Sequence, residues 1–508
     1  MASRSTEVAL SQALSVQGLV GQLQEFDPHV YGDADGLIFG ISEDSRSIKS
    51  GYIFLARRGE KSDGTKWAVS ALQSGAVAVL CERGAGVKEE PRIEVNDLRR
   101  AWGVAAQAIY GQPTEHMNVI GVTGTNGKTT VAVLLEQAYL SVQRQVARSG
   151  TLGFYVNGAQ QSGSLTTPMP DELARNLASA QELGCSEALL EVSSHALVQG
   201  RVEGIRFQAA AFTNLSQDHL DYHHSMKEYF EAKKSLFLEY SPRRSVFNID
   251  DPALRQFAQE LEDSGQELIT VSCSDPGADL YFEIGALTQS GVRATLHYQG
   301  QKLEFASRLV GRHNLENLGT SLGLLLANGL SFQEAAAALS GAKGAPGRFQ
   351  RVEAEEDDIT VLVDYAHTPD AIERVIQALR ELSAQPLITV FGCGGDRDRK
   401  KRPLMGKAAS SSDAIWVTSD NPRSESPQKI VEEILQGVDQ SATVTSVELD
   451  RKQAIQGAIA AAHPGSVVLI AGKGHEQYQE IAGERLSFDD VVVAVDALER
   501  RRNHVRGA

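Results

Sequence analysis

The chain has 508 residues, 42% of them hydrophobic and 22% charged, a composition that excludes collagen-like, coiled-coil and disulfide-scaffold classes. Its length exceeds a single hydrophobic core and suggests about three domains of ~150 residues each. A net charge of −16 excludes a broadly basic surface for nucleic acid or acidic lipid, while leaving room for a local cationic pocket. Cys81, Cys185, Cys273 and Cys393 lie far apart without CxxC spacing, which fits reduced thiols. Residues Met1 to Glu7 have no apolar core of signal-peptide length, and no run approaches the ~18 apolar residues of a membrane span. A soluble, cytoplasmic, multidomain protein is expected.

Two clusters of loop-forming residues, Gly111-Gln112-Pro113-Thr114 and Gly341 to Gly347, cut the chain into segments of ordinary domain size. In the first, Gly51–Ala56 and Ala76–Leu80 suggest a small α/β unit. The second opens with an apolar strand, Asn118–Val122, then a glycine-rich turn, then a buried helix, Thr129–Leu140. Its turn reads Gly121-Val122-Thr123-Gly124-Thr125-Asn126-Gly127-Lys128-Thr129-Thr130. Such glycines let backbone amides wrap a phosphate at a helix N-terminus, with Lys128 reaching the β/γ phosphates and the Thr129 hydroxyl ligating magnesium. The strict G-x-x-x-x-G-K-T form would need glycine where Val122 stands, so a plain strand-to-helix turn is the alternative.

Further along, the strand Glu187–Val192 ends in Glu191-Val192-Ser193-Ser194-His195, either a site at a strand's carboxyl end or a helix cap. Glu191 could hold a divalent cation through oxygen. A serine-hydrolase reading of Ser194-His195 lacks the G-x-S-x-G elbow. The strand Phe207–Thr213 leads into Thr213-Asn214-Leu215-Ser216-Gln217-Asp218-His219-Leu220-Asp221-Tyr222-His223-His224, read as one histidine in a magnesium shell or as surface histidines at a helix start. Lys233 and Lys234 have the pattern of solvated helix lysines. In the last segment, strands at Ile359–Val363, Leu387–Phe391, Ala414–Thr418 and Val467–Ala471 alternate with helices such as Pro427–Gly437, which argues a mostly parallel, doubly covered sheet. The run Arg397-Asp398-Arg399-Lys400-Lys401-Arg402 could bind an anion or open a solvated helix, and Arg500-Arg501-Arg502 is expected at a helix end.

Taken in order, TGTNGKTT, EVSSH, TNLSQDHLDYH, GRHNLEN, GRFQ, VDYAHTPD, GCGGDRD, DNPR and GKGHE resemble the Mur ligases, from about Asp44 to about Asp490. The resemblance implies an α/β protein of three domains. These would be 1–113 for the UDP-muramoyl substrate, 114–345 as a central P-loop ATPase domain, and 346–508 as a Rossmann-like domain for the amino acid. It implies an ADP-forming ligase that uses ATP and Mg²⁺ to add meso-2,6-diaminopimelate to UDP-N-acetylmuramoyl-L-alanyl-D-glutamate through an acyl phosphate. That reaction belongs to cytoplasmic peptidoglycan precursor synthesis, with no nucleic-acid partner, no membrane span, and a monomer as the working form.

Roles carry over residue by residue. Gly124, Thr125, Asn126, Gly127, Lys128, Thr129 and Thr130, with Asn317, Arg348 and Asp364, match ATP contacts. Thr129, Glu191, His219 and Lys233 match the magnesium shell. Lys233 is there implied to be a carbamate, against the pattern reading, and Lys128, Lys233 and His219 carry the catalysis. Ser45, Thr166, Thr167, Ser193, Gln199 and Arg201 match contacts to the UDP substrate, with a more variable stretch at Glu60-Lys61-Ser62. Arg397, Asp420, Asn421, Pro422, Arg423, Gly472 and Glu476 match the amino-acid pocket, where Arg423 in the DNPR segment would grip the distal carboxylate of diaminopimelate. A folylpolyglutamate-synthetase-type ligase shares the phosphate loop, but DNPR, GKGHE and the N-terminal segment weigh against it. The intact Lys128, Glu191, His219 and Lys233 set weighs against a regulatory protein that binds ATP without making a bond.

Overall fold

A computed structural model describes residues 14–59, 62–163, 165–288, 291–352, 357–382, 384–439, 441 and 443–507; for Ser162, Asp221 and residues 504–507 only the backbone is described. Met1 to Glu7, Glu60 and Lys61 therefore lie outside the described residues. The chain divides into two compact units. One runs up to Phe282 and includes His297–Gln301 and Glu316–Leu339; the other comprises Glu283–Leu296, Lys302–Leu315 and everything from Ser340. No helix among the described residues is long and apolar enough to cross a membrane.

Among the described residues, the first unit holds two larger sheets and a two-stranded one, Leu14–Ser15 with Leu37–Ile38. Near its start, the strands His29–Tyr31, Arg92–Val95, Ala76–Glu82, Tyr52–Ala56 and Gly40–Ser42 lie side by side in that order, all parallel except at the first pair. Their core of Ile53, Leu55, Leu80 and Trp102 also takes in Ala174 and Ala178 from the helix Pro170–Glu182. The segment expected as a separate first domain thus shares buried surface with the next, and Arg100 reinforces the contact with an ion pair to Glu203 at 2.9 Å.

Within the first unit the central sheet runs Ala159–Ser162, Gly153–Val156, Val146–Gly150, Glu187–Glu191, Asn118–Thr123, Phe207–Phe212, Arg244–Asn248, Leu268–Ser272 and the first residues of Leu280–Thr288. The first two pairings are antiparallel, and from Val146–Gly150 onward the strands pair in parallel. The strands are apolar on both faces because helices cover both, the pattern of a parallel sheet. From Asn118–Thr123 the chain crosses to one side, to Val146–Gly150, and later to the other, to Phe207–Phe212. The crevice at its carboxyl end is where such sheets bind ligands. The glycine-rich turn lies there, with Glu191 at the end of one neighbouring strand and Thr213 just past the other.

In the second unit a sheet runs Gln350–Val352, Thr360–Asp364, Val467–Ala471, Leu387–Phe391, Ala414–Val417 and Val444–Val447, parallel apart from its first strand. Two cores cover it, one around Phe391 and Met405 and one around Ile455 and Val468. The four strands expected in this segment are present to within a residue; their short Val/Ile/Leu runs suit strands buried on both faces.

Two expectations about basic residues are corrected by the fold. Arg402 is neither an anion ligand nor solvated: it is fully buried and paired with Glu425 at 2.7 Å and Glu433 at 2.8 Å. Arg500 to Arg502 lie within the helix Asp490–Gly507 rather than at its end, and Arg501 ties it to Asp358 through two hydrogen bonds of 2.8 and 2.7 Å.

Candidate active site

The strand Asn118–Thr123 delivers the chain to Gly124, and the helix Lys128–Ser141 begins four residues later. Glycine is required twice in between. Gly124 and Gly127 have φ of 144° and 86°, and a Cβ on them would collide with Thr213 Oγ1 and Asn317 Oδ1 respectively. No side chain caps the helix, so its first amides face outward for an anion. Lys128 Nζ lies back over the loop and donates to the carbonyls of Gly124 and Thr125 at 2.8 and 2.9 Å. The loop is laced to the segment after the neighbouring strand. Thr125 N donates to Asn214 O at 2.9 Å, Asn126 N to Asn214 Oδ1 at 2.9 Å, and Thr213 Oγ1 to Asn126 O at 2.5 Å. The Thr-Asn-Leu-Ser stretch therefore shapes the phosphate loop. Asn317, the nucleotide contact expected in this unit, lies directly behind Gly127.

Glu191, 1% exposed, accepts from the Thr129 hydroxyl at 2.8 Å and from the amide and hydroxyl of Thr151, both at 3.0 Å. All three partners are neutral, so a buried carboxylate faces a threonine hydroxyl with no cation among these partners. That donor set fits Mg²⁺, which takes one or two protein oxygens and fills its shell with water and phosphate. Among the described residues no group of three or more His, Cys, Asp and Glu side chains converges in the manner of a zinc site. His219, at φ 52°, is exposed; its ring packs edge-on against His195 at 4.9 Å, and its Nε2 lies 3.5 Å from Asp218.

Lys233 departs from its sequence pattern. It is 1% exposed on the helix Met226–Leu238, and its Nζ donates to the Gly124 carbonyl at 2.8 Å, the same oxygen that Lys128 contacts. Burial, and secondarily Lys128, hold its ammonium well below the usual lysine range, with Asp218 opposing. The helix rotation that buries Tyr229, Leu236 and Phe237 carries Lys233 inward with them, which its charge conceals in the sequence. Tyr229 lies beside it and donates to Thr125 Oγ1 at 3.2 Å.

Five of the residues expected at the UDP substrate, Thr166, Thr167, Ser193, Gln199 and Arg201, lie in a network of hydrogen bonds leading away from Glu191. Thr151 Oγ1 and Thr166 Oγ1 are 3.2 Å apart, and Thr167 Oγ1 donates to the Glu191 carbonyl at 2.7 Å and accepts from Ser193 N at 3.1 Å. Arg201 donates to Thr167 O at 2.7 Å and to Gln199 Oε1 at 3.0 and 2.7 Å. Ser193 also caps the helix Ser194–Val198, the alternative that the sequence left open for this segment. Ser194 pairs with His223 at 2.8 Å rather than with its neighbour His195. Ser45 opens a short turn of the first sheet's domain and takes no part in these bonds. Thr151, which joins the two halves of this network, was not legible in the sequence; only its place just after a strand hinted at it.

In the second unit, every residue expected at the amino acid or nucleotide lies just past a strand's carboxyl end or in a loop facing it. Asp364 accepts from Phe349 N at 2.7 Å and Ala366 N at 2.8 Å, and burial raises its carboxyl above the usual range, against the opposing Arg348. Arg348 stacks over Tyr365 at 4.7 Å. After the next strands, Asn421 Nδ2 donates to Glu476 Oε2 at 2.9 Å, and Asp420 Oδ2 is buried without a partner beside Gly472, where a Cβ would come within 2.8 Å of it. Arg423 has φ 51°, held by a pair of backbone bonds: Arg423 N to Glu480 O at 3.0 Å and Ala482 N to Arg423 O at 2.8 Å. Pro422 fixes the approach. The Arg423 guanidinium donates to Gly395 O at 2.8 Å and lies 3.4 Å from Glu480. Arg397 is exposed on the neighbouring loop.

Arg451 and Asp490, both fully buried, brace these loops from beneath. They pair at 2.7 Å, and Arg451 also donates to the carbonyls of Ser419 and Ala471, which precede Asp420 and Gly472. Neither residue was marked by any sequence motif.

Three family models match the chain: the Mur ligase family catalytic domain over 37–118, the Mur ligase middle domain over 122–325, and the Mur ligase glutamate ligase domain over 347–474. A UDP-N-acetylmuramoyl-L-alanyl-D-glutamate–2,6-diaminopimelate ligase of Gloeobacter violaceus is 44% identical over 92% of this chain and 95% of its own. A solved structure of a ligase with that same name superposes with a TM-score of 0.72 at 34% identity, over 97% of this chain and all of the other. The MurF ligase of Thermotoga maritima in complex with ADP shares the fold at 17% identity, with a TM-score of 0.60 over 92% of this chain and 98% of its own. The chain belongs to the Mur ligase family and has its three-domain α/β fold.

Proposed function

We infer that the chain is the ADP-forming ligase that adds meso-2,6-diaminopimelate to UDP-N-acetylmuramoyl-L-alanyl-D-glutamate, a step of peptidoglycan precursor synthesis. One observation carries the reading: the phosphate loop, with Lys128, Lys233 and Thr129, is joined through Glu191 to the Thr151, Thr166, Thr167, Ser193 and Arg201 network. This reading puts the transferable phosphate and the substrate carboxylate at that junction.

The chemistry follows. A carboxylate is a poor electrophile at neutral pH. Its oxygen attacks the γ-phosphorus of ATP, ADP leaves, and the acyl phosphate gains a leaving group. The diaminopimelate amine then attacks the acyl carbon, a proton is lost, and phosphate departs as the amide forms. Lys128 and the helix amides offset negative charge as it moves among the phosphates. Asn317, Arg348 and Asp364 are the further nucleotide contacts of this reading. Arg201 and Gln199, fixed to each other and to Thr167, hold the UDP substrate together with Ser45.

Thr129, Glu191 and His219 would hold Mg²⁺, which supplies Lewis-acid charge at the phosphate oxygens. Lys233 is the carbamate of this reading: its neutral amine adds to CO₂, loses a proton, and becomes a carboxylate able to orient the metal. A depressed ammonium favours the neutral amine that this addition needs. Asp420, Asn421, Arg423, Gly472, Glu476 and Arg397 take the diaminopimelate, with Pro422 aiming Arg423.

Phosphate release tests the assignment. It is expected only with ATP, the UDP-muramoyl dipeptide and meso-diaminopimelate together. Release that ignores the muramoyl substrate would overturn it.

A further inference from the structure

Lys473 is fully buried, and no ligand contact is assigned to it above. It follows Gly472 at the end of the strand Val467–Ala471, in a turn closed by Glu476 N donating to Lys473 O at 2.9 Å. Its Nζ donates to Asn421 Oδ1 at 2.9 Å, lies 3.1 Å from Glu476 Oε2, and faces the Tyr478 ring at 5.4 Å. Asn421 Nδ2 closes the triangle on the same Glu476 oxygen at 2.9 Å, and Glu480 N donates to Asn421 Oδ1 at 2.9 Å. An ammonium withdrawn from water is costly unless paired and hydrogen-bonded, and here it has both a carboxylate and an amide oxygen.

The arrangement has two consequences. The Asn421 amide can point only one way, since a flip would turn its NH₂ toward a cation and its oxygen toward a carboxylate. Glu476, meanwhile, meets a ligand with its charge already partly balanced. Asn421 and Glu476 come from loops after two different strands, and Lys473 ties those loops together.

We propose that Lys473 is a positioning residue of the amino-acid pocket, locking Asn421 and Glu476 into one oriented unit and thereby setting the affinity for the incoming diamino acid. The proposal rests on the reading that Asn421 and Glu476 hold that amino acid.

Steady-state kinetics of the full chain test it, with each substrate varied in turn, for wild type, Lys473→Met, Glu476→Gln and the double variant. Thermal unfolding monitors the fold. Lys473→Met is expected to raise KM for meso-diaminopimelate roughly tenfold or more, the scale of a lost hydrogen bond to a charged group. KM for ATP and for the UDP substrate should stay within about twofold on the same reasoning. Because Lys473 acts through Glu476, the double variant should be little worse than Glu476→Gln alone. A folded Lys473→Met with unchanged diaminopimelate KM overturns the proposal. So does a rise in all three KM values together, which marks a merely structural ion pair, or strict additivity in the double variant, which means that Lys473 does not act through Glu476. Should Lys473→Met not fold, Lys473→Gln, which keeps one donor, carries the same comparison. If Glu476→Gln itself leaves the diaminopimelate KM unchanged, the reading of the pocket fails instead.

Discussion

At Lys233 the local pattern and the tertiary environment disagree, and the environment governs the chemistry. A lysine on an amphipathic helix is ordinarily solvated, yet this one shares the Gly124 carbonyl with Lys128 in a buried site. Two ammonium groups around one oxygen repel each other, which converting one of them to a carbamate would relieve. Lys233→Ala is expected to lose activity by roughly a hundredfold or more, the scale of a removed electrostatic stabiliser. Short carboxylic acids should restore part of it by filling the vacated place. Normal turnover in the variant would remove Lys233 from the mechanism. In the proposed function, Arg423 is the selecting residue at the same scale. Its left-handed backbone, held by the Glu480 and Ala482 bonds, aims a guanidinium that a second carboxylate can satisfy and a lysine ammonium cannot. Wild type should prefer meso-diaminopimelate over L-lysine by roughly 10⁴-fold, as sites built around a polar group do. Competition assays with Arg423→Ala should show most of that preference gone; an unchanged ratio would assign selection elsewhere.

Among the elements, the phosphate loop is the most tightly constrained. Its shape is imposed by hydrogen bonds from the Thr213–Ser216 segment, and its glycines are needed for both backbone angle and space. Gly127→Ala introduces a Cβ at φ 86° against Asn317 Oδ1. It should cost about 1–3 kcal/mol of stability and abolish measurable ATP binding, which calorimetry with a nonhydrolysable nucleotide would read. Tight binding by that variant would mean the loop has another conformation. The Arg423–Ile481 bridge shows the same logic at the other site, where the strand Tyr478–Ile481 sets the direction of a binding side chain.

For the whole molecule, buried charge is organised as braces. Arg402, fully buried, binds Glu425 and Glu433 and so joins the loop after Asn421-Pro422-Arg423 to the helix Pro427–Leu435. The Arg402 guanidinium holds the Glu425 carboxyl down at about 2, from an ordinary 4.5. A carboxyl depressed on folding stabilises fully above 4.5, and the contribution is lost as pH falls toward 2. Glu425→Gln should therefore lower stability at pH 7, by about 1–3 kcal/mol for an altered charged hydrogen bond. The gap to wild type should close in acid. Denaturation curves across that range would show it, and a gap independent of pH would rule out Arg402 as the cause.

The phosphate loop was legible in the sequence because phosphate binding demands glycine, lysine and threonine in adjacent positions, and each of those residues advertises its chemistry. TGTNGKTT is of this kind; Glu191 reads as a strand end with a helix cap as the alternative, and the DNPR segment is read through the resemblance alone. Also legible were the parallel strands, whose unbroken apolar runs admit few other structures. Tertiary structure alone decided what depends on residues far apart in the chain. It buried Lys233, placed Thr151 on Glu191, paired Ser194 with His223, and made braces of Arg402 and of Arg451, which no motif had marked. A side chain's type fixes what bonds it can form. Whether a charge is solvated or paired depends on the strands and helices that close around it, and those come together only when the sheet is assembled.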